Sequence, residues 1–320
     1  MKPYPLTRLR YAGLTLSLVM IALSVFAVFY YGLKPGIDFT GGIIVDFSLN
    51  SLANQTELMS MLQAPLAGIG HISQASAAGV WHLTLPHNAP ITDPNAIVAL
   101  LSEQFHQPVT LVQANIVGPQ VGEELFDQGG LALIVSSLSI MLYLAIRFEW
   151  RLSMAAVASL VHDSILTLGL LAFLGVKIDL NVIAGMLAVI GYSLNDSIVI
   201  ADRLRDVLKA RPTADVYSST DIAVKATFSR TLITAGTTLF TIACLLLLGG
   251  QALYGFSITL FVGVLTGTWS SVTIASTVQE MLGLSLCTTS QNLNWLTKCH
   301  NRQTKTVKTK KGSSAPLLYA

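Results

Sequence analysis

Four residues of this sequence could move protons, because their side chains ionise and lie in or beside long apolar stretches. His162 and Asp163 are adjacent in the middle of one stretch, Asp196 lies towards the end of the next, and Arg230 begins a later one. An ionisable side chain at the centre of a bilayer costs about 2.5–3.5 kcal/mol on insertion scales, so its presence there calls for a reason. A carboxylate in such a site can load and release a proton when a cationic partner approaches and withdraws. The sequence therefore predicts a proton path through Asp196 and Arg230, with His162 and Asp163 as further candidates.

The same four residues could instead have a purely structural role. A static buried ion pair, or polar contacts that fix helix packing, would also place ionisable groups inside an apolar segment. The residue types favour proton coupling for Asp196 and leave both interpretations open for His162 and Asp163. Small and polar neighbours of Asp196, such as Gly191 and Ser193, could pack helices together or line a hydrated cavity.

Transmembrane helices are needed to hold these side chains. The chain has 320 residues, of which 52% are hydrophobic and 11% charged, and its mean hydropathy of +0.62 lies outside the range of soluble globular proteins. A bilayer core about 30 Å thick needs roughly 20 apolar residues per spanning helix. Six stretches meet this requirement, at about 11–31, 129–146, 152–174, 180–200, 231–248 and 257–278. We interpret the first as a retained span, because its apolar run is longer than that of a signal peptide.

The basic residues predict how these spans are oriented. With the N-terminus inside, every Lys and Arg except Lys34 and Lys177 lies on one side of the membrane. Because cytoplasmic loops carry an excess of Lys and Arg, both termini are expected in the cytoplasm. The protein is then a multi-pass protein of the cell inner (cytoplasmic) membrane, and residues 32–127 are extracytoplasmic.

Residues 32–127 have the pattern of a small α+β domain. Alternating apolar residues predict strands at 43–49, 71–77, 80–85 and 109–117, and helical spacing predicts helices at 55–66 and 93–104. This order is typical of a ferredoxin-like domain, in which two helices cover one face of an antiparallel sheet. The segment has no cysteine, so packing alone must stabilise it. The predicted fold class is an all-α bundle of six transmembrane helices, with an inserted α+β ferredoxin-like periplasmic domain.

The remaining segments complete the predicted organisation. Residues 1–31 form the cytoplasmic N-terminus and first span, 128–278 the other five spans with their loops, and 279–320 a basic cytoplasmic tail. A short interfacial helix is expected near 221–228, between the fourth and fifth spans. The tail loses its apolar periodicity, and we interpret it as a disordered, solvated extension near anionic lipid.

Motifs of several enzyme classes are absent from the sequence. It has no phosphate-binding loop for ATP, no Cys and His cluster with metal-ligand spacing, and no His-Glu-x-x-His helix. We therefore expect neither an enzyme nor a bound metal or cofactor, and no nucleic acid among its partners. Any work that the chain performs is expected to draw on the transmembrane gradient.

Several motifs, in order along residues 36–267, resemble those of the SecD and SecF family of bacterial protein-export membrane proteins. The first motif lies just outside the first span and comprises Gly36, Ile37, Asp38, Phe39, Thr40, Gly41 and Gly42. The most specific motif comprises Gly191, Tyr192, Ser193, Leu194, Asn195 and Asp196. Residues 117–122, 147–151 and 230–238 and the pair at 162–163 also match.

The resemblance implies a fold and a function. The fold is one half of a resistance-nodulation-division transporter, and the paralogous SecD supplies the other half. The pair belongs to the Sec translocase and uses the proton motive force to help complete preprotein translocation through SecYEG, after the ATP-driven step of SecA. YajC and YidC are further candidate partners. Asp196 and Arg230 correspond to the acidic and basic residues that the family requires for proton coupling, and the chain alone should be inert.

Two other functions are weighed against this one. Half of an exporter for a lipid or a small toxic compound would need a much larger exported domain with a substrate cleft. A structural subunit would stabilise SecD and the channel without titrating, and replacing Asp196 by Asn would separate it from a proton-coupled subunit.

Overall fold

The computed structural model describes residues 5–49, 58, 70–74, 79–211 and 214–282. Within these residues, six helices are long and apolar enough to cross a membrane. In chain order the helices are α1 (Pro5–Tyr31), α2 (Ile37–Thr40), α3 (Pro94–Phe105), α4 (Pro119–Arg147), α5 (Trp150–Leu174), α6 (Leu180–Ala210), α7 (Val216–Leu248), α8 (Gly250–Ser270) and, after a π-helical turn (Ser271–Ala275), α9 (Ser276–Met281). The strands are β1 (Lys34–Pro35), β2 (Gly42–Ser48), β3 (His71–Gln74), β4 (Val80–Pro86), β5 (Thr110–Val117) and β6 (Lys177–Ile178). Each predicted span is confirmed. Of the predicted tail, residues 279–281 instead belong to α9, and the part beyond 282 lies outside the described residues.

The two helices that differ most from the predicted spans are α6 and α7. α6 continues to Ala210 and α7 already begins at Val216. The prediction of a separate interfacial helix near 221–228 was therefore wrong, because these residues form the first turns of α7. Ala223 on α7 is fully buried and belongs to the same apolar cluster as Leu204 and Leu208 of α6. This packing extends both helices beyond their apolar stretches.

Three helical segments form the centre of the bundle. Half or more of the most apolar window is buried in α5 (50%), in α6 (50%) and in the α8–α9 segment (56%). The corresponding fractions are 17% for α1, 11% for α4 and 17% for α7. Large apolar side chains such as Phe29, Phe240 and Leu248 are exposed on these outer helices. The outer helices thus present broad apolar faces that no described residue covers.

The central helices α6 and α8 approach each other closely along a line that we call the glycine seam. A Cβ atom on Gly263 of α8 would overlap the side chain of Val189, and one on Gly267 would lie 3.1 Å from Cβ of Ser193. Because small residues let two helix backbones come together, this seam sets the distance between α6 and α8.

The sheet domain consists of β2 to β5 and α3. Its strands form an antiparallel sheet in the order β3-β4-β2-β5, which is the ferredoxin-like arrangement that the sequence predicts. Gly79, directly before β4, has a left-handed φ of 82°. α3 begins after Asp93, whose side chain accepts a hydrogen bond from the Asn95 N–H at 3.1 Å. The predicted helix at 55–66 lies outside the described residues, except for Leu58.

The two faces of this sheet differ in polarity, as strand alternation requires. Val45, Phe47 and Leu83 point into the domain core and are completely buried. Asp46 and His82 alternate with them and point to the opposite face. The polar face is directed towards the bundle and helps to enclose a cavity described below.

Candidate proton-coupling site

Asp196 lies on α6 and is buried in the bundle, with 4% of its surface exposed. On the neighbouring helix α7, Thr231 and Arg230 form part of its electrostatic environment. Within the described residues, neither Oδ2 of Asp196 nor the Thr231 hydroxyl has a partner at good hydrogen-bond geometry, although the two side chains are close enough to interact. A buried polar atom without a partner costs about 1–3 kcal/mol, so each such atom in a native structure needs an explanation. The candidate partners of Asp196 in the structure are the Thr231 hydroxyl and Arg230.

Arg230 has an exposed side chain, although the adjacent Thr231 is buried. Within the described part of the chain, Arg230 and Asp196 form no ion pair at 4.0 Å or less. The predicted pair is thus placed on adjacent helices without direct contact. A long guanidinium side chain can reorient while its backbone stays in place. This geometry is compatible with a partner that approaches and withdraws, and the coupling role of the two residues stays a prediction.

Asp163 is the centre of a buried hydrogen-bond cluster that joins three helices. Its Oδ2 atom accepts hydrogen bonds from the hydroxyl of Ser193 on α6 and from that of Ser270 on α8, the latter at 2.7 Å. Its Oδ1 atom lies 2.9 Å from Nδ1 of His162. Ser159 of α5 donates to Ser270 at 2.8 Å. Sequence reasoning found His162 and Asp163 but missed Ser159 and Ser270, because serines are common in transmembrane helices and carry no spacing signal.

The Asp163 cluster fixes the contact between α5, α6 and α8, since both carboxylate oxygens have partners. His162 is 2% exposed, and its Nε2 atom has no hydrogen-bond partner among the described residues. The π-helical turn begins at Ser271, directly after Ser270. Such turns inside α-helices frequently mark functional sites. A proton-carrying role for His162 and Asp163 stays a prediction.

A second buried cluster, the Arg10 network, was not found from the sequence. Arg10 of α1 is 1% exposed and binds Asp221 of α7 through Nε at 3.1 Å and Nη2 at 2.8 Å. Its Nη2 atom also contacts Glu280 of α9 at 2.7 Å, and the Thr7 hydroxyl donates to Asp221 at 3.0 Å. From the sequence Arg10 had been interpreted only as one of the basic residues that flank the first span. The structure shows that it ties the start of α1 to α7 and α9.

Comparison with known proteins gives the family. Residues 97–285 match the family model described as protein export membrane protein SecD/SecF, C-terminal. Protein translocase subunit SecF of Vibrio alginolyticus is 37% identical over 271 residues, which cover 84% of this chain and 86% of that protein. The chain belongs to the SecF family. The SecF of Pseudomonas aeruginosa is 39% identical over 277 residues, covering 85% of this chain and 89% of that protein.

Two solved SecDF structures resemble this SecF-family chain. The crystal structure of SecDF from Thermus thermophilus has a TM-score of 0.77 and 29% identity, and covers 88% of this chain. SecDF in a super-membrane-facing form has a TM-score of 0.65 and 28% identity, and covers 96% of this chain. This chain spans only 38% and 40% of those two chains. The likeness confirms the predicted fold class of a six-helix membrane bundle with an inserted α+β domain.

The first SecF motif, residues 36–42, connects α1 to the sheet domain, and we call this segment the root of the sheet domain. The Gly36 N–H donates to the Ile178 carbonyl at 2.6 Å, and β1 pairs in parallel with β6. α2 follows, and the Thr40 hydroxyl donates back to the Gly36 carbonyl at 3.1 Å. Gly41, with a left-handed φ of 71°, and Gly42, with φ of 153°, then turn the chain into β2. Glycine is the residue suited to such backbone angles.

The same motif packs against residues 117–122, the motif that begins α4. A Cβ atom on Gly122 would lie 2.8 Å from the Phe39 carbonyl oxygen, so only glycine fits there without a shift. The rings of Phe39 and Phe126 meet edge to face, with centroids 5.5 Å apart. The two motifs that are far apart in sequence therefore form one contact.

The motif around Asp196 has a face that the described residues leave open. Gly191 and Asn195, one helical turn apart on α6, are exposed. Tyr192 packs instead with the apolar cluster of α7 and α8 that includes Leu239 and Phe261. Gly191 has no atom within 4 Å of the position that a Cβ would occupy. This open face lies next to the buried carboxylate.

Residues 147–151 form the tight connection between α4 and α5. The Arg147 guanidinium lies 5.0 Å from the ring centroid of Phe148, and that of Arg151 lies 5.3 Å from the ring centroid of Trp150. Burial raises the pKa of the Glu149 carboxyl between them, against the opposing effect of Arg151 and Arg205. Cation–π contacts thus contribute to this connection, and Arg151 and Arg205 favour the charged form of Glu149.

A cavity of about 580 Å³, lined by several charged and polar side chains, lies between the sheet domain and the bundle. On the sheet side it is lined by Asp46 and His82, whose side chains are in contact, and by His71. On the bundle side it is lined by Lys177 and Asp179, in the turn between α5 and α6. Burial raises the pKa of the Asp179 carboxyl; the hydrogen bond from the Val182 N–H opposes this shift and the nearby Asp38 adds to it.

The charge of Lys177 is expected to depress the pKa of His71 across this cavity. Burial lowers the pKa of His71 below its ordinary value of 6.5, and Lys177 lowers it further. Replacing Lys177 by Met should therefore raise the pKa of His71 without restoring it fully, since burial remains. An NMR titration of His71 in the reconstituted protein measures this change.

The lowered pKa of His71 also makes the stability of the folded protein depend on pH. A histidine with a lowered pKa in the folded state makes the protein less stable as the pH falls through 6.5. This loss should be smaller in the Lys177→Met variant. Lys34→Met is a matched control, because Lys34 affects Lys177 but is not among the causes of the His71 shift. An unchanged His71 titration in Lys177→Met would contradict the assignment.

Proposed function

We propose that this chain is the SecF subunit of a Sec protein translocase. With a SecD partner it uses the proton motive force to help complete preprotein translocation through SecYEG, after the ATP-driven step of SecA. On this proposal it is not an enzyme, and its energy source is the proton gradient. The single observation that carries the proton role is the buried Asp196, which forms no ion pair within the described residues although Arg230 lies on the next helix.

Two observations support a SecD partner: the share of the SecDF chains that this chain matches, and the exposed faces of its helices. The chain matches about two fifths of SecDF chains, so those proteins contain a further part with no counterpart here. The open face of Gly191 and Asn195 and the exposed apolar faces of α1, α4 and α7 offer surfaces for such a part. A partner on that side would cover Arg230 and lower the local dielectric around Asp196. YajC and YidC are further candidate partners on the strength of the sequence resemblance alone.

The charge distribution supports an orientation in the inner membrane. Arg8, Arg147 and Lys209 lie at the ends of helices on the side opposite the sheet domain, whereas Lys34 and Lys177 lie beside its root. Since cytoplasmic loops are rich in Lys and Arg, we place both termini in the cytoplasm and the sheet domain on the other side.

Replacing Asp196 by Asn in the full chain, co-expressed with its SecD partner, tests the function. We expect the stimulation of preprotein translocation by the proton gradient to be lost, because Asn has a similar shape but cannot carry the proton. The SecA-driven step should be retained. The measurement is translocation into inverted membrane vesicles, with and without an ionophore that collapses the gradient.

Asp202→Asn is the matched control for this experiment. It removes a carboxylate from the same helix, but at an exposed position. This variant should retain the stimulation by the gradient. Co-purification of SecD with each variant checks assembly. Gradient-stimulated translocation at the normal level in a correctly assembled Asp196→Asn complex would make the chain a structural subunit.

A further inference from the structure

Two carboxylates cap the N-terminus of α6, and they come from different parts of the chain. Asp179 is the local cap, and its Oδ1 atom accepts a hydrogen bond from the Val182 N–H at 2.8 Å. Asp38 is the distant cap, and its Oδ2 atom accepts from the Leu180 N–H at 3.0 Å. Asp38 belongs to α2, at the root of the sheet domain. A hydrogen bond therefore joins this root directly to the first residue of the helix that carries Asp196.

The root makes close contacts with the bundle at two places. A Cβ atom on Gly36 would lie only 2.9 Å from the Ile178 carbonyl oxygen, so the backbones on either side of the β1–β6 pair are in contact. Phe39 packs on α4 through Phe126. After α2 the chain enters β2, a central strand of the sheet, within two residues. Movement of α2 relative to the start of α6 would strain the hydrogen bond between Asp38 and Leu180.

α6 is continuous between this contact and Asp196. Leu180 and Asp196 are 16 residues apart in the sequence, and at 1.5 Å per residue this is about 24 Å along the helix axis. A helix without a break transmits a shift or rotation along its axis. A shift or rotation of α6 at Asp196 is therefore transmitted to Leu180 through the covalent backbone and the helical hydrogen bonds.

We propose that Asp38 is a positioning residue that couples the sheet domain to α6. This inference rests on the proposed function, because the displacement that Asp38 transmits is the one linked to proton exchange at Asp196. The carboxylate of Asp38 holds the start of α6 at a fixed position relative to the root, so that movement of α6 is passed to the sheet domain. Asp179 has the same chemistry but caps α6 from within the α5–α6 connection. Its hydrogen bond to Val182 is local, whereas that of Asp38 joins α6 to the root of the sheet domain.

The pair of capping residues supplies the matched variants. Asp38→Ala and Asp179→Ala each remove one side-chain cap, and each should weaken the helix start by a similar factor, about fivefold in its equilibrium. Asp38→Asn retains an oxygen that can accept from Leu180 N–H and should behave like the wild type. A role in stability alone would therefore affect the two alanine variants alike.

The experiment uses the complete SecD-containing complex in vesicles. In a background without native cysteines, one label is placed at the exposed Glu103 of the sheet domain and another at the exposed Asp127 of α4. The distance between the labels is measured by pulsed electron paramagnetic resonance, with and without a proton gradient. Gradient-stimulated translocation is measured in the same vesicles.

We expect the gradient to change the label distance in the wild type, in Asp38→Asn and in Asp179→Ala. In Asp38→Ala the change in distance and the stimulation of translocation should both be lost, although the complex still assembles. Equal behaviour of Asp38→Ala and Asp179→Ala, or a wild type whose label distance ignores the gradient, would overturn the inference. The proposed function would survive either result if translocation still depended on the gradient and on Asp196, so the two failures are distinguishable.

Discussion

Replacing Arg10 by Met is expected to destabilise the bundle by about 3–5 kcal/mol, the range measured when one partner of a buried ion pair is removed. The Arg10 side chain neutralises Asp221 and Glu280, whose side chains are 10% and 1% exposed. Without it, two buried carboxylates face each other with no cation between them. The free energy of unfolding in detergent micelles, followed by tryptophan fluorescence, measures this loss.

Two further variants separate charge from packing in the Arg10 network. Arg8→Met removes a basic residue from the same helix at an exposed position, and it should change stability little. Combining Arg10→Met with Asp221→Asn and Glu280→Gln removes the uncompensated charges and should recover most of the lost stability. If Arg10→Met and Arg8→Met had equal effects, the network would not be a significant source of stability.

Replacing Asp163 by Ala is expected to cost about 3 kcal/mol or more of unfolding free energy. The carboxylate receives hydrogen bonds from Ser193 and Ser270 and contacts His162, and each buried group left without its partner costs about 1–3 kcal/mol. The three partners lie on α5, α6 and α8, so the loss should loosen the centre of the bundle. Thermal unfolding and hydrogen exchange of these helices in nanodiscs test this expectation.

Ser159→Ala is the graded control for Asp163. Ser159 donates only to Ser270, so its removal should cost about 0.5–1.5 kcal/mol, the net value of one hydrogen bond. Asp163→Asn keeps an acceptor oxygen but brings an amide donor towards groups that are themselves donors, and it should fall between the two. A smaller effect for Asp163→Ala than for Ser159→Ala would show that the cluster does not join the helices as described.

The elements of this protein were predictable because each has a strong local signal. Twenty or so apolar residues indicate a span, and alternation such as that of Val45 and Phe47 around Asp46 indicates a strand with one buried face. Asp196 could be singled out from the cost of placing a carboxylate in lipid. The helix ends were less predictable, because tertiary packing of residues such as Ala223 extends them.

The contacts between distant residues could not be predicted from one sequence. Arg10 binds groups that are 211 and 270 positions away, and Asp38 caps a helix that begins 142 positions later. Nothing in local periodicity shows such pairings. For the same reason, the sequence could not show that Arg230 would have an exposed side chain beside a buried Thr231.

The glycine seam restricts sliding of α6 and α8 past each other. With Gly263 against Val189 and Gly267 against Ser193, neither helix of that pair has room to travel past the other. We consequently expect α6, which carries Asp196, and α8, which carries Ser270, to move as one rigid unit. Any relative movement next to Asp196 is therefore expected at the contact between these two helices and α7, the helix that carries Arg230.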